Sequence, residues 1–513
     1  MLIDASKKTQ TLPKNMDVVI VGAGTMGLFV ARELASSGHS VIVLESGDRV
    51  PSTQFNSANA VSVGKQHFGT EAGRSKGLGG TSSLWGGGLV EFEESDFSRS
   101  GKWPISYKDV APWYRHVYDR LGMRTPPKVD QMRKATGEKI TSGSVIERFF
   151  IYMLPIPNFA RLFKNDIEDN PLITVVINAR ASAIEFSGEQ AVSIIVETSY
   201  GEKLSVNAQK FVFAAGTIEM NRLFLSLKAD KAMPWANNEN IGLNFQDHLG
   251  GIAAKVKLLD EAKFREYFEN GVIQKLKYHP RLRLSQLYSG QMECNSQGYF
   301  SFKSDIDDKL DNLKRTLASL RSSLVFSTLI TLPKDMLKMG WAFLPLITRY
   351  LKDRRVFAFF DKSLDFYVQS EQWPISSSYI YLSDEINNLD GLRKAKVNWQ
   401  LDGREVEAIR SFVLAADQYL QEAGIAKLII DPSLEEKNPM FLDIMNDTYH
   451  QCGGLCMSGS QATGVVDKNC KVWGTANVFI AGASVFPTSS YANCTLTALA
   501  LAARLADHIK VLK

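Results

Sequence analysis

Val18-Val-Ile-Val21 runs without a polar break into Gly22, a pattern that predicts a strand buried on both faces. Apolar residues then recur at helical spacing from Leu28 to Ser36, with Gly38 beyond as a stop. A second short apolar run, Val41-Ile-Val-Leu44, ends in Glu45. Strand, glycine turn, helix and strand in that order describe a βαβ unit with parallel strands. Further on, a helix is predicted from Asp109 to Leu121. Ile173 to Val176, Ala191 to Glu197 and Lys203 to Val206 read as a small antiparallel meander. Lys210 to Gly216 is another apolar strand ending in glycine, and a helix from Ile218 to Leu227 returns the chain to the first sheet.

From 251 to 445 the pattern changes. β-rich and aromatic runs appear at Phe357 to Phe360, Asp365 to Gln372, Ser378 to Leu382 and Ala395 to Trp399, followed by a helix from Arg404 to Ala423. This predicts an antiparallel sheet with helices packed on it. The last seventy residues return to the earlier style, with a strand at Val478 to Gly482 and an apolar helix from Thr495 to Val511 that can close the first sheet.

Composition narrows the class. At 513 residues, 45% hydrophobic and 22% charged, the chain is globular and too long for one core. A net charge of +4 does not suggest a nucleic-acid protein, and five cysteines do not make a disulfide framework. Met1 to Asp17 lacks the apolar core of a signal peptide, and no run of about 18 apolar residues is long enough to span a bilayer. The expectation is a cytoplasmic protein. Leu317 to Leu351, apolar and basic by turns, reads as core-packing helices or as a patch meeting a membrane or hydrophobic substrate.

Candidate chemistry begins at Gly22-x-Gly24-x-x-Gly27. Gly22 permits the turn, Gly24 lets backbone approach a pyrophosphate, and Gly27 lets helix and strand pack closely. Glu45 stands where an acid can take the ribose hydroxyls of an adenosine. Gly77-Leu-Gly-Gly-Thr-Ser-Ser-Leu-Trp-Gly-Gly-Gly88 reads as a ligand-facing loop. Of seven histidines, His39, His116 and His508 read as structural and His279 as uninformative, while His67 and His248 lie near cofactor segments and could be either. His450 stands in a glycine-rich turn, Asp447-Thr-Tyr-His-Gln-Cys-Gly-Gly454, presented rather than packed. His450-x-Cys452-x-x-x-Cys456 lacks a second ligand pair at zinc-like spacing, so no metal is expected.

These motifs, with Ala214-Ala-Gly-Thr-Ile-Glu219, Ile241 to His248, Gly464 to Asp467, Ala483 to Thr488 and Asn493-Cys-Thr-Leu-Thr497, occur in an order that resembles the glucose-methanol-choline (GMC) family of FAD-dependent oxidoreductases, most similar to its pyranose oxidase and sugar dehydrogenase branch. The resemblance implies an α/β fold: a Rossmann-like FAD-binding domain from 1–105, 165–250 and 446–513, and a discontinuous substrate domain from 106–164 and 251–445, built on an antiparallel sheet with helices. It implies that Gly22, Gly24, Thr25, Met26, Gly27, Glu45, Ser46, Gly79, Gly80, Thr81, Ser83, Trp85, Gly86, Ala181, Ala215, Gly216, Gly482, Ala483, Asn493 and Thr495 hold FAD. His450 and Asn493 fall at the catalytic positions, with Gln372 as a further substrate contact. Relatives with covalently bound flavin carry histidine where this chain has Leu84, so the flavin is expected to be non-covalent. The usual Asn-Pro-Thr is Asn493-Cys494-Thr495 here.

The expected reaction oxidises a hydroxyl of a sugar or sugar-derived compound, with His450 accepting the proton at a pKa near the ordinary 6.5 and an unidentified electron acceptor completing the cycle. Oxidation of a lipophilic alcohol, or flavin binding without turnover, are the alternatives.

Overall fold

The computed structural model describes residues 1–7, 12–136, 144–305, 344–387 and 389–512. Among these, the Val18 run lies at the centre of an eight-stranded sheet. Strands Leu2–Asp4, Ile173–Ile177, Val41–Leu44, Asn15–Val21 and Lys203–Phe213 follow one another in parallel across it, and Val478–Ile480 also pairs in parallel with Lys203–Phe213. Val18, Val19 and Ile20 have no exposed surface, as a strand covered on both faces requires. Helix Thr25–Ala35 packs over the sheet, and the C-terminal helix Cys494–Val511 packs beside it.

Three readings of this region change. Ile173–Ile177 is no part of a meander: it is a parallel strand between Leu2–Asp4 and Val41–Leu44. Its partners are remote in sequence, so local alternation could not reveal them. Lys203–Phe213 is one continuous strand rather than two. Residues 203–207 pair antiparallel with Gln190–Thr198, and residues 207–213 pair parallel with Asn15–Val21. Helix Tyr107–Arg120, expected with the substrate domain, lies instead against Cys494–Val511, where Tyr114 Oη meets Thr497 Oγ1 at 2.9 Å, and Arg120 Nε reaches Glu33 Oε1 on Thr25–Ala35 at 2.7 Å.

A nine-stranded antiparallel sheet holds Gly88–Leu89, Ile146–Met153, Leu249–Leu258, Leu276–Leu284, Ser296–Lys303, Ser363–Ser370 and Ala426–Ile430, with Gly271–Ile273 and Asn446–Asp447 on its flanks. Its two faces differ, following the period of two along each strand. Leu282, Phe300, Phe366 and Val368 join a core with Ile409, Phe412 and Val413 of helix Arg404–Glu422. The alternate residues, Arg281, Arg283, Gln297, Tyr299, Tyr367 and Gln369, are polar or aromatic and lie on the opposite face. Phe357 to Phe360 is not a strand; Phe357 and Phe360 flank the Arg265 guanidinium, with ring centres 4.1 and 4.7 Å away. A three-stranded sheet, Ala60–Gly64, Arg393–Trp399 and Tyr379–Ile386, links the two halves.

Most of Leu317 to Leu351 lies outside the described residues. The described part, within a helix over 344–353, exposes Leu344, Ile347 and Leu351. Among the described residues no helix is long and apolar enough to cross a membrane.

Candidate active site

A cavity of about 280 Å³ opens where the parallel strands end. Gly22, Gly24, Thr25, Met26, Glu45, Ser46, Gly80, Thr81, Ala181, Ala215, Gly216, Gly482, Ala483 and Thr495 of the sequence-derived set line it. Helices Thr25–Ala35, Thr217–Lys228 and Cys494–Val511 all begin at this cavity, and their capping residues Gly24, Gly216 and Asn493 supply no side-chain cap. Uncapped helix starts leave backbone N–H donors and the positive end of the helix dipole for an anionic ligand. At Gly216 and Gly482, both at positive φ, an added Cβ would meet nothing within 4 Å. Such openings fit a ligand lying against bare backbone.

The glycine turn owes its shape to contacts within the chain. A Cβ on Gly22 would stand 2.7 Å from Ala214 O, and one on Gly27 would stand 1.9 Å from Gly22 O. Glu45 accepts hydrogen bonds from Ala23 N at 2.9 Å and Gly47 N at 2.7 Å. It therefore stiffens the turn, and each carboxylate oxygen keeps a second lone pair for a ribose hydroxyl. Half-buried Arg74 also lines the cavity; desolvation lowers its pKa to about 10, with Glu219 Oε2 3.8 Å away as its ion partner. A diphosphate would find both cation and helix ends here.

The remaining expected residues stand farther out. Gly79 N donates to Ala23 O at 2.8 Å, tying the second glycine loop to the first. Ser83 Oγ caps Gly80 O at 2.9 Å, and the Trp85 indole donates to Pro157 O at 2.8 Å. Gly79, Ser83, Trp85 and Gly86 therefore shape the loop, and Gly27 the helix packing, outside the cavity lining. Gln372 has no exposed surface: its carbonyl accepts from Asp247 N and Trp399 Nε1, and its amide donates to Gln400 O. These bonds leave it in the supporting wall, with no free surface for a substrate.

His450 follows cavity-lining Tyr449 and precedes cavity-lining Gln451; Asn493 precedes cavity-lining Cys494 and Thr495. The His450 backbone N–H donates to Asp247 Oδ1 at 2.8 Å, and its Nδ1 meets Thr448 Oγ1 at 2.8 Å. With the proton on Nδ1 facing Thr448, Nε2 carries the free lone pair. Burial chiefly, then His248 and Arg281, hold its pKa well below 6.5. The acid limit expected near 6.5 therefore moves lower. Asn493 Nδ2 reaches Gly88 O at 3.4 Å, while buried Oδ1 has no partner among the described residues. Buried Ser484 Oγ, in the cavity wall, is equally unpaired. Unmet buried acceptors and donors of this kind mark places a ligand would fill. Cys494 takes the first helical position, and the Cys452 thiol donates to His450 O at 3.1 Å.

Sequence reasoning left His67 and His248 open. His67 is sealed between Phe245 and Trp399, with Nδ1 on Thr70 Oγ1 and Nε2 3.1 Å from Asp247 Oδ2. Asp447 closes the cluster by accepting from Phe68 N and Gly69 N. His67 thus braces the Asp247 that holds His450, and its buried, bonded ring offers no atom for a flavin linkage. His248 lies with its ring centre 4.9 Å from that of His450. Gln369 donates to its Nδ1, its Nε2 faces Ser489 O, and burial lowers its pKa to about 4. It is a neutral neighbour of His450, a role only the fold reveals.

The fold, the open helix starts and the glycine cradle define a dinucleotide-dependent enzyme, and residues 17–225 match the family model described as FAD dependent oxidoreductase. The cofactor is FAD. Residues 374–502 match the family model described as GMC oxidoreductase, so the chain joins an FAD dependent oxidoreductase region to a GMC oxidoreductase C-terminal region. It is 20% identical to the fructose dehydrogenase large subunit of Gluconobacter japonicus, over 96% of this chain and 97% of that one. A KsdD-like steroid dehydrogenase of Mycolicibacterium smegmatis is 27% identical, but over 30% of this chain and only 28% of that protein's length. Among solved structures, pyridoxine 4-oxidase from Mesorbium loti superposes with a TM-score of 0.60 at 17% identity, covering 96% of this chain and 99% of that one. A formate oxidase from Aspergillus oryzae gives 0.60 at 17%, covering 98% and 99%.

Proposed function

We propose that the protein oxidises a hydroxyl of a sugar or sugar-derived compound. The carrying observation is that His450, neutral and with Nε2 free of hydrogen bonds among the described residues, stands between cavity-lining Tyr449 and Gln451, while Asn493, with its unpaired Oδ1, immediately precedes cavity-lining Cys494. Bound FAD supplies the hydride acceptor at its N5. In the tautomer with the proton on Nδ1, the Thr448 hydroxyl accepts from Nδ1–H and holds the ring, and His450 Nε2 takes the hydroxyl proton. Asn493 Oδ1 orients the hydroxyl without titrating. Asp247 fixes the backbone of the His450 turn from behind. The sugar assignment is supported by the end-to-end match to a fructose dehydrogenase subunit.

The FAD is held non-covalently, since Leu84 cannot form a histidyl bond and the His67 ring is enclosed. The test is an anaerobic flavin-reduction screen across sugars, polyols and lipophilic alcohols. Bleaching by sugars supports the reading. Bleaching only by lipophilic alcohols overturns the substrate class, and a flavin that no alcohol bleaches points to binding without turnover.

A further inference from the structure

One arginine on the polar face of the nine-stranded sheet lacks the partner its neighbours have. Arg283 pairs with Glu93 and Glu147, and Arg99 pairs with Glu371. Arg281, two residues from Arg283 on the same face, forms no ion pair with a carboxylate among the described residues. Its Nη1 donates to Gln297 Oε1 at 3.1 Å, and its guanidinium lies 4.2 Å from the centre of the Tyr299 ring. Its Nε is buried and unpaired, and Nη2 makes no hydrogen bond among the described residues. Nε and Nη2 share one edge of the guanidinium, the edge that binds a carboxylate through two parallel bonds. A cation drawn partly out of water without a counter-charge is costly, and the cost falls when an anion arrives.

The position of Arg281 ties this open edge to the reaction. Gln297, its hydrogen-bond partner, and Gln369 both donate to Tyr491 O, two residues before Asn493. Gln369 also holds His248, the ring beside His450. Tyr299 packs on Tyr367 with ring centres 4.9 Å apart, and a Cβ on Gly250 would meet both Tyr367 Oη and Thr448 Cγ2 at 2.4 Å. Thr448 is the residue that holds His450 Nδ1. His279, also on this face, leaves a second buried polar atom, Nε2, unpaired. Its strand partner Ile151 packs beside Gly88, which also touches Asn493 Nδ2.

We propose that Arg281 anchors a carboxylate on the substrate, so that the enzyme acts on an acidic sugar derivative rather than a neutral sugar. The proposal rests on the sugar-oxidation reading for the skeleton, and on the open guanidinium edge for the charge. Burial lowers Arg281 to about 10 and the two tyrosines oppose this, so the group remains a cation at neutral pH.

The test uses FAD-loaded enzyme mixed anaerobically with D-glucose, D-glucuronate or glucose 6-phosphate at matched concentrations, with flavin bleaching followed by stopped flow. Glucuronate should give a reduction rate per unit concentration at least about tenfold above glucose, within the range for hydrogen bonds to a charged group. In Arg281→Gln the ratio should fall to about one, and Arg281→Lys, which keeps the charge but not the fork, should fall between. Calorimetric titration with acetate should show binding to the wild type that Arg281→Gln loses; retained flavin in both variants verifies that they fold. An equal glucuronate-to-glucose ratio in wild type and Arg281→Gln overturns the proposal, as does a preference for glucose 6-phosphate over glucuronate. If no sugar bleaches the flavin but acetate still needs Arg281, the sugar reading fails and the anchor stands.

Discussion

Replacing Gly24 by alanine separates what the cofactor needs from what the fold needs. Gly24 lines the cavity with φ −82° and ψ −166°, an extended conformation that any residue adopts. A Cβ there would have Gly80 Cα, 4.0 Å away, as its nearest protein neighbour. The apoprotein of Gly24→Ala should therefore be as stable as the wild type, or more stable by about 0.4–1 kcal/mol, because alanine restricts the unfolded chain. The methyl would occupy the space where a pyrophosphate passes. FAD at about 100 times its wild-type Kd adds about 2.7 kcal/mol to the folded state; a hundredfold weaker affinity at the same FAD concentration leaves about 0.4 kcal/mol. Thermal unfolding with and without FAD, together with a fluorescence titration, measures both terms. Gly27→Ala is the contrast: its Cβ would stand 1.9 Å from Gly22 O, and the apoprotein itself should lose about 2 kcal/mol or more. A Gly24→Ala protein that keeps the full FAD-induced shift would show that no phosphate passes this residue. A marked loss of apoprotein stability would refute the backbone argument.

His450→Ala should retain FAD and slow flavin reduction by about 10²-fold or more, read by anaerobic stopped flow, whereas Asn493→Ala should cost less, since it removes orientation but no proton acceptor. Because burial, His248 and Arg281 hold His450 well below 6.5, the imidazole stays unprotonated through mild acid, and the wild-type reduction rate should fall only below about pH 6.5; a midpoint at or above that value would contradict the geometry. Glu405 is pushed up to about 7 by burial, so the folded state holds a proton that the unfolded chain releases near 4.5. Its contribution is full below about pH 4.5 and lost as pH rises to about 7, and Glu405→Gln should gain on the wild type across that window by up to about 3 kcal/mol, measured by denaturant unfolding at each pH. Acid precipitation should release yellow flavin into the supernatant; flavin that stays with the pellet would overturn non-covalent binding.

The elements most legible in the sequence were those with strong local pattern. Val41–Leu44 matches its predicted bounds, and Arg404–Glu422 and Cys494–Val511 fall within a residue of theirs, because uniform apolar runs and helical stripes need no distant partner. Ile173–Ile177 and Phe357 to Phe360 were misread because their partners, a parallel strand and the Arg265 cation, lie far along the chain. Around the site, glycine spacing pointed to the cavity. Arg281 left no trace, since its meaning lies in a carboxylate missing from its surroundings. Gln372 looked exposed to a ligand only because the Trp399 and Asp247 bonds that enclose it come from elsewhere.

The strand Lys203–Phe213 receives Val478–Ile480 at its side, and the helix Cys494–Val511 packs on Thr25–Ala35. During synthesis, the glycine turn must wait until Val478–Ile480 and Cys494–Val511 have been made before its sheet and helix layer are complete. The intervening residues have time to assemble the other sheet around an unfinished partner. Such long sequence separations slow folding and leave apolar edges open to aggregation while translation continues. A nascent chain stalled before residue 478 would thus present Phe211 and Phe213 without their final strand, so quality control acting on this protein would meet its cofactor half as the late-maturing part.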